Sequence, residues 1–130
     1  MQFKIGIGVI IKKSGKVLIG KRIGSHGAGT WSFPGGHLEE NERPEITAKR
    51  EVLEETGLEI DNLQPVSFTY DHFEEKNTDY LTLFYSAGWV HGTPEIREKD
   101  KCAEWRWEAL DNLPEPLFKP VASLLKQGNI

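Results

Sequence analysis

Residues Gly36 to Leu58 read GHLEENERPEITAKREVLEETGL, and this stretch decides how the chain is understood. Pro44 suits a first helical turn, where its missing N–H costs nothing. Gly57 suits a left-handed C-terminal cap, with Leu58 packing back behind it. The spacing therefore predicts a helix over Pro44–Thr56. Within it Glu51, Glu54 and Glu55 stand at i, i+3 and i+4, on one face about 100° wide. Ile46, Val52 and Leu53 are expected to turn away from that face and meet a sheet. Stacked like charges cost a helix a few tenths of a kcal/mol per pair. Solubility alone does not ask for them. Phe33-Pro34-Gly35-Gly36 precedes the helix and lets a backbone pass close by. Carboxylates at this spacing make a hard-oxygen set suited to Mg²⁺, with Mn²⁺ able to substitute, and a carbonyl at the Gly-Gly turn can complete it.

Outward from the helix the pattern alternates as strands do. Ile5, Ile7, Val9 and Ile11 mark a strand over residues 4–12, in which Gly6 and Gly8 leave room for another backbone. Ser14-Gly15 turns the chain into Val17-Leu18-Ile19, which ends at Lys21-Arg22. A glycine-rich loop from Gly24 to Gly29 leads to a short strand with Trp31 and Phe33. After the helix come strands near Val66–Phe73 and Tyr80–Val90, joined by a polar turn. A charged loop over residues 91–101 and a strand at Trp105-Arg106-Trp107 follow. A last helix, about Lys119–Gln127, carries Val121, Leu124 and Leu125 at core spacing. This order predicts one α/β domain over residues 1–130: an α/β/α sandwich with a mixed central sheet and helices on both faces.

Composition sets the outer bounds. The chain has 130 residues, 28% charged and 38% hydrophobic, a length that fits one domain with a real core. Four Trp, six Phe and three Tyr argue against disorder. No apolar run approaches the roughly 20 residues of a membrane span, and the start lacks a secretory stretch. Lone Cys102 excludes an internal disulfide framework and fits a reducing, cytoplasmic setting, where it acts as a small buried hydrophobe. A net charge of −4 disfavours a grip on nucleic-acid polymers. A small polyanion needs a cation between itself and these carboxylates.

The arrangement Gly36-x5-Glu42-x7-Arg50-Glu51-Val52-x-Glu54-Glu55-x-Gly57-Leu58 resembles the Nudix box, with no departure. Chance gives it at a chosen start roughly once in a billion. Strand order and length are similar to a minimal Nudix domain throughout. The segment from Gly20 to Leu38 looks like the MutT-type nucleoside triphosphate pyrophosphatases. The resemblance implies metal-dependent hydrolysis of a nucleoside triphosphate to monophosphate and pyrophosphate, in nucleotide-pool sanitation. It implies Glu51 and Glu55 as principal Mg²⁺ ligands, Glu54 assisting, the Gly36 carbonyl joining them, and Glu98 as a further ligand or a plain surface charge. Glu51 or Glu54 is the candidate general base, and Arg50 is expected to pair with Glu42 and orient Glu51. Arg22, at a strand end near the glycine-rich loop, is a candidate phosphate clamp, and Gly35 is a candidate substrate contact. Phe33, Thr82, Trp105 and Trp107 are candidates for the base; the two tryptophans share a face, so at least one belongs to the core. His26 and His37 read as structural or rim residues. Two other readings stay open: a Nudix hydrolase of a nucleotide sugar, ADP-ribose or dinucleotide, and a non-catalytic nucleotide-binding module. The partner is a nucleotide, with a homodimer open.

Overall fold

The computed structural model describes residues 2–24, 26–128 and 130. Ser25 of the glycine-rich loop lies outside the described residues. Strand β1 (Gln2–Lys13) turns through Ser14 and Gly15, both at positive φ, into β2 (Lys16–Arg22). Two successive left-handed residues match the turn of a tight hairpin. Yet β1 and β2 pair only at Lys12–Val17 and Lys13–Lys16 and then part. Into the gap comes β4 (Gly35–His37), antiparallel to Gly6–Gly8 of β1. On its other edge β1 runs parallel to β6 (Thr78–His91), which pairs antiparallel with β5 (Glu59–Phe73). Strand β2 carries the short β3 (Trp31–Ser32) and β7 (Cys102–Ala109), both antiparallel to it. The sheet is mixed, as expected. Its division where β1 and β2 diverge opens a cleft.

Alternation along β1 sends Ile7, Val9 and Ile11 to one face and Ile10 to the other. On the first face they meet Ala48 and Val52 of helix α1 (Pro44–Thr56), with Leu18, Leu58 and Tyr85. On the second, Ile10, Val17, Ile19, Trp31, Phe33 and Phe84 meet Val121 and Leu124 of helix α2 (Lys119–Gln127). Helices thus cover both faces. Among the described residues, no helix is long and apolar enough to cross a membrane.

Two details differ from the sequence expectation. Ile46 and Leu53 do not face the sheet; they are 51% and 45% exposed. At 100° per residue they lie about 100–120° from Val52, beyond the strip that the strands cover. Thr47, Ala48 and Thr56 are the residues buried beside Val52. The room at Gly6 and Gly8 is filled by the side chains of Thr82 and Phe84, with the Phe84 ring 2.7 Å from where a Gly8 Cβ would stand. The close backbone approach occurs instead at Gly35, whose Cβ would fall on the carbonyl oxygen of Ile7.

Candidate active site

Helix α1 presents its carboxylates into the cleft, and Arg50 fixes how. The Arg50 guanidinium donates to both oxygens of Glu42 at 2.9 and 3.0 Å, to Glu51 Oε1 at 2.9 Å and to Glu54 at 3.3 Å. Glu42 also accepts from the Thr47 hydroxyl at 2.6 Å. These bonds hold the Glu42 carboxyl below its ordinary range and raise Arg50 further above its own. Glu51 lies against Gly36 so closely that a Cβ there would overlap its carboxylate. Glu55 Oε1 accepts the Gly35 N–H at 3.0 Å. The Gly-Gly turn is therefore required twice: at Gly35 by the Ile7 carbonyl, and at Gly36 by Glu51.

Burial raises Glu51 and pushes Glu55 up to about 8, with the neighbouring charges of Glu51 and Glu98 adding to Glu55. Glu55 thus faces low-dielectric space with a backbone N–H and no cation bonded to it, and Glu51 is only partly compensated by Arg50. Glu98 joins them from the loop after β6. That loop is strapped to the end of α1 by Glu95 N–H to the Thr56 carbonyl at 2.8 Å and Arg97 N–H to the Glu55 carbonyl at 3.4 Å. Glu98 Oε1 is buried without a hydrogen-bond partner, and so is the indole Nε1 of Trp105.

A cavity of about 660 Å³ fills the cleft, a size that suits a small-molecule site. Its walls include Glu51, Glu55, Glu98, Gly35, Gly36, Arg22, Phe33, Thr82 and Trp105. Gly20 lies beneath the Trp105 ring, 2.5 Å from the place of a Cβ, so the indole lies flat over β2. Arg22 donates to the His26 carbonyl at 3.0 Å and stacks its guanidinium 4.1 Å from the Phe118 centroid. Burial lowers its pKa, opposed by the charge of Glu55. Glu54 and Trp107 are not in this wall. Glu54 is half exposed and held by Arg50; Trp107 packs on the first core near the Lys13 ammonium. Cys102 is half-buried, its thiol pushed up to about 11 by desolvation, which leaves it inert.

A NUDIX domain model matches residues 2–127. The chain belongs to the NUDIX family. It is 36% identical over 106 residues to the oxidized purine nucleoside triphosphate hydrolase of Mus musculus, a match covering 82% of this chain and 66% of that protein. It is 35% identical over 96 residues to the 8-oxo-dGTP diphosphatase of Proteus vulgaris, covering 73% and 82%. The crystal structure of a MutT NUDIX hydrolase from Burkholderia pseudomallei superposes with a TM-score of 0.90 at 29% identity, over 98% of each chain. The match spans just under two thirds of the mouse protein.

Divalent metal is a general requirement of NUDIX hydrolases. The donor set here fits one by its chemistry: hard oxygens only, from Glu51, Glu55, Glu98 and the Gly36 carbonyl, with Glu98 Oε1 left over. Among the described residues no three such side chains already converge as a finished cage. The carboxylates are held elsewhere, Glu51 by Arg50 and Glu55 by Gly35.

Sequence reasoning missed the other half of the NUDIX cavity: Lys4, Lys76, Tyr80 and Phe118, together with His26 and His37, which it left at the rim. The signal was there for Lys4 and Tyr80. Lys4, Gly6 and Gly8 share a face of β1, and Tyr80, Thr82 and Phe84 share that of β6, each two apart.

Proposed function

We propose that this single NUDIX domain hydrolyses nucleoside triphosphates to monophosphate and pyrophosphate, with Mg²⁺ as its ion and Mn²⁺ able to replace it. The relatives in mouse and Proteus vulgaris, named for oxidised purine nucleotides, support a role in cleaning the nucleotide pool, and lone Cys102 fits a cytoplasmic setting for it. The observation that carries the reading is the convergence on one cavity of Glu51, Glu55 and Glu98 with Arg22. The net charge of −4 supports a small nucleotide as partner and no nucleic-acid polymer.

Glu51, Glu55, Glu98 and the Gly36 carbonyl would hold the ion. When bound, it supplies neutralisation of phosphate oxygens and makes nearby water more acidic. Arg50 keeps Glu51 turned to the cavity and does not touch substrate. Glu54, tied to Arg50 outside the wall, supports the same arrangement. Arg22, between the carboxylates and the aromatic cluster, grips a phosphate. The unpartnered Trp105 N–H donates to the same anion, and Phe33 and Thr82 form the floor. Water oxygen attacks one phosphorus of the phosphoanhydride, its proton passes to the Glu51 carboxylate, and the P–O–P bond breaks to give monophosphate and pyrophosphate.

The test is a panel of ribo- and deoxyribonucleoside triphosphates, ADP-ribose and dinucleotides, with and without Mg²⁺, reading nucleotide products by chromatography and pyrophosphate. Pyrophosphate from triphosphates alone, and only with metal, is the expected result. Faster turnover of ADP-ribose or dinucleotides overturns the substrate class.

A further inference from the structure

The cavity has two electrically unlike ends. Glu51, Glu55 and Glu98 stand at one, and at the other stand His26, His37, Tyr80 and Phe118, with exposed Lys4 and Lys76 at the rim. The mutual electrostatics sort the residues the same way. Lys4, Lys76 and Arg22 all act on both imidazoles, whereas Glu51 and Glu98 act on Glu55. Arg22 lies between, acted on by both Glu55 and Tyr80.

The second end is lined by flat rings. The His26 imidazole stacks on Tyr80, centroids 5.2 Å apart and planes at 24°, and meets Phe118 edge-on at 5.3 Å. Phe73 closes the cluster 4.6 Å from His26. His37 lies 5.7 Å from Tyr80, with its Nε2 3.4 Å from the Tyr80 hydroxyl. Burial, with the nearby cations, holds His26 down at about 4, so its ring is uncharged at neutral pH. The ammonium groups of Lys4 and Lys76 at the rim donate and never accept, whereas the acceptors in the ring cluster, an uncharged His26 imidazole and the Tyr80 hydroxyl, carry no charge. The carboxylate that acts on this end is the exposed Glu39, through His37.

Resting on the triphosphatase reading, we infer that this aromatic and cationic end is the base subsite, and that Lys4 and Lys76 make it select bases by ring carbonyl oxygens over exocyclic amino groups. Amino groups need an acceptor that the lysines do not offer; carbonyls find charged donors.

Two matched pairs isolate the effect: dITP against dATP differ in the keto or amino group at purine C6, and dUTP against dCTP at pyrimidine C4. Both keto-to-amino ratios of kcat/KM are expected to reach about tenfold. In Lys4→Met/Lys76→Met both ratios fall towards one, while Lys4→Arg/Lys76→Arg preserves them. Ratios near or below one in the parent, or ratios unchanged by the methionine pair, overturn the inference. Absence of pyrophosphate from all four nucleotides overturns the triphosphatase reading instead. The dITP-to-dATP ratio of Kd, by calorimetry, then still decides the subsite.

Discussion

Glu55 keeps its carboxyl against a buried wall with one backbone N–H from Gly35 as partner, and its pKa is pushed up to about 8 for that reason. In the unfolded chain the group ionises near its ordinary 4.5. The folded state thus favours the protonated form, and this contribution is full below about 4.5 and is lost as pH rises through about 8. Without metal, melting should fall by a few degrees between pH 6 and 8.5, and Glu55→Gln should flatten that fall. Protons compete with the ion for Glu55, so Mg²⁺ should raise the melting temperature more at pH 8.5 than at pH 6. Scanning fluorimetry reads both, and an unchanged pH slope in Glu55→Gln contradicts the assignment. The same variant should lower turnover about a hundredfold or more. Arg50 acts through others: its one guanidinium bonds Glu42, Glu51 and Glu54 together. Lysine lacks the fork for this, so Arg50→Lys should lose about 10- to 100-fold in kcat with KM for nucleotide nearly unchanged. A large rise in KM with kcat preserved would place Arg50 on the substrate instead.

At the scale of elements, neighbouring glycines should respond in opposite ways. Alanine at Gly35 drives a methyl into the Ile7 backbone, which cannot yield, and should cost about 3 kcal/mol of stability. Alanine at Gly36 meets the Glu51 side chain first, and that side chain can swing away. Gly36→Ala should keep its stability within about 1 kcal/mol and lose activity, as urea unfolding and turnover together will show. Equal destabilisation of the two variants would contradict this division. The helix between Pro44 and Thr56 was legible to the residue because proline and glycine punctuate both ends. Strand β5 was less so. It begins at Glu59 and not near Val66, and its register slips between Asp61 and Gln64 and again between Pro65 and Ser67. Those irregularities hide a strand from a test based on strict alternation.

The whole molecule adds what local pattern does not carry. Gly36, Glu42, Arg50, Glu51 and Glu55 lie within one short stretch: spacing put the glutamates on one helix face, and the resemblance to the Nudix box supplied the pairing of Arg50 with Glu42. Glu98, Trp105 and Phe118 reach the cavity only because β1 and β2 part company and the loop after β6 is strapped to α1. Long-range closure of this kind has no signature in a window of residues. It also explains why Trp105 and Trp107, two apart on β7, diverge in role: the first reaches the cavity and the second ends over the core beside Lys13. Because the acidic end of the cavity includes a carboxyl near 8, kcat/KM should climb from pH 6 to 9 at fixed Mg²⁺, and a flat profile would count against it. The most direct test follows pyrophosphate release from a nucleoside triphosphate while free Mg²⁺ is titrated from chelator excess upward, in the parent and in Glu51→Gln. The expected result is silence in chelator, saturable activation by Mg²⁺ in the parent, and activation needing at least about tenfold more Mg²⁺ in the variant. Undiminished release in chelator, or superimposable activation curves, would contradict the account.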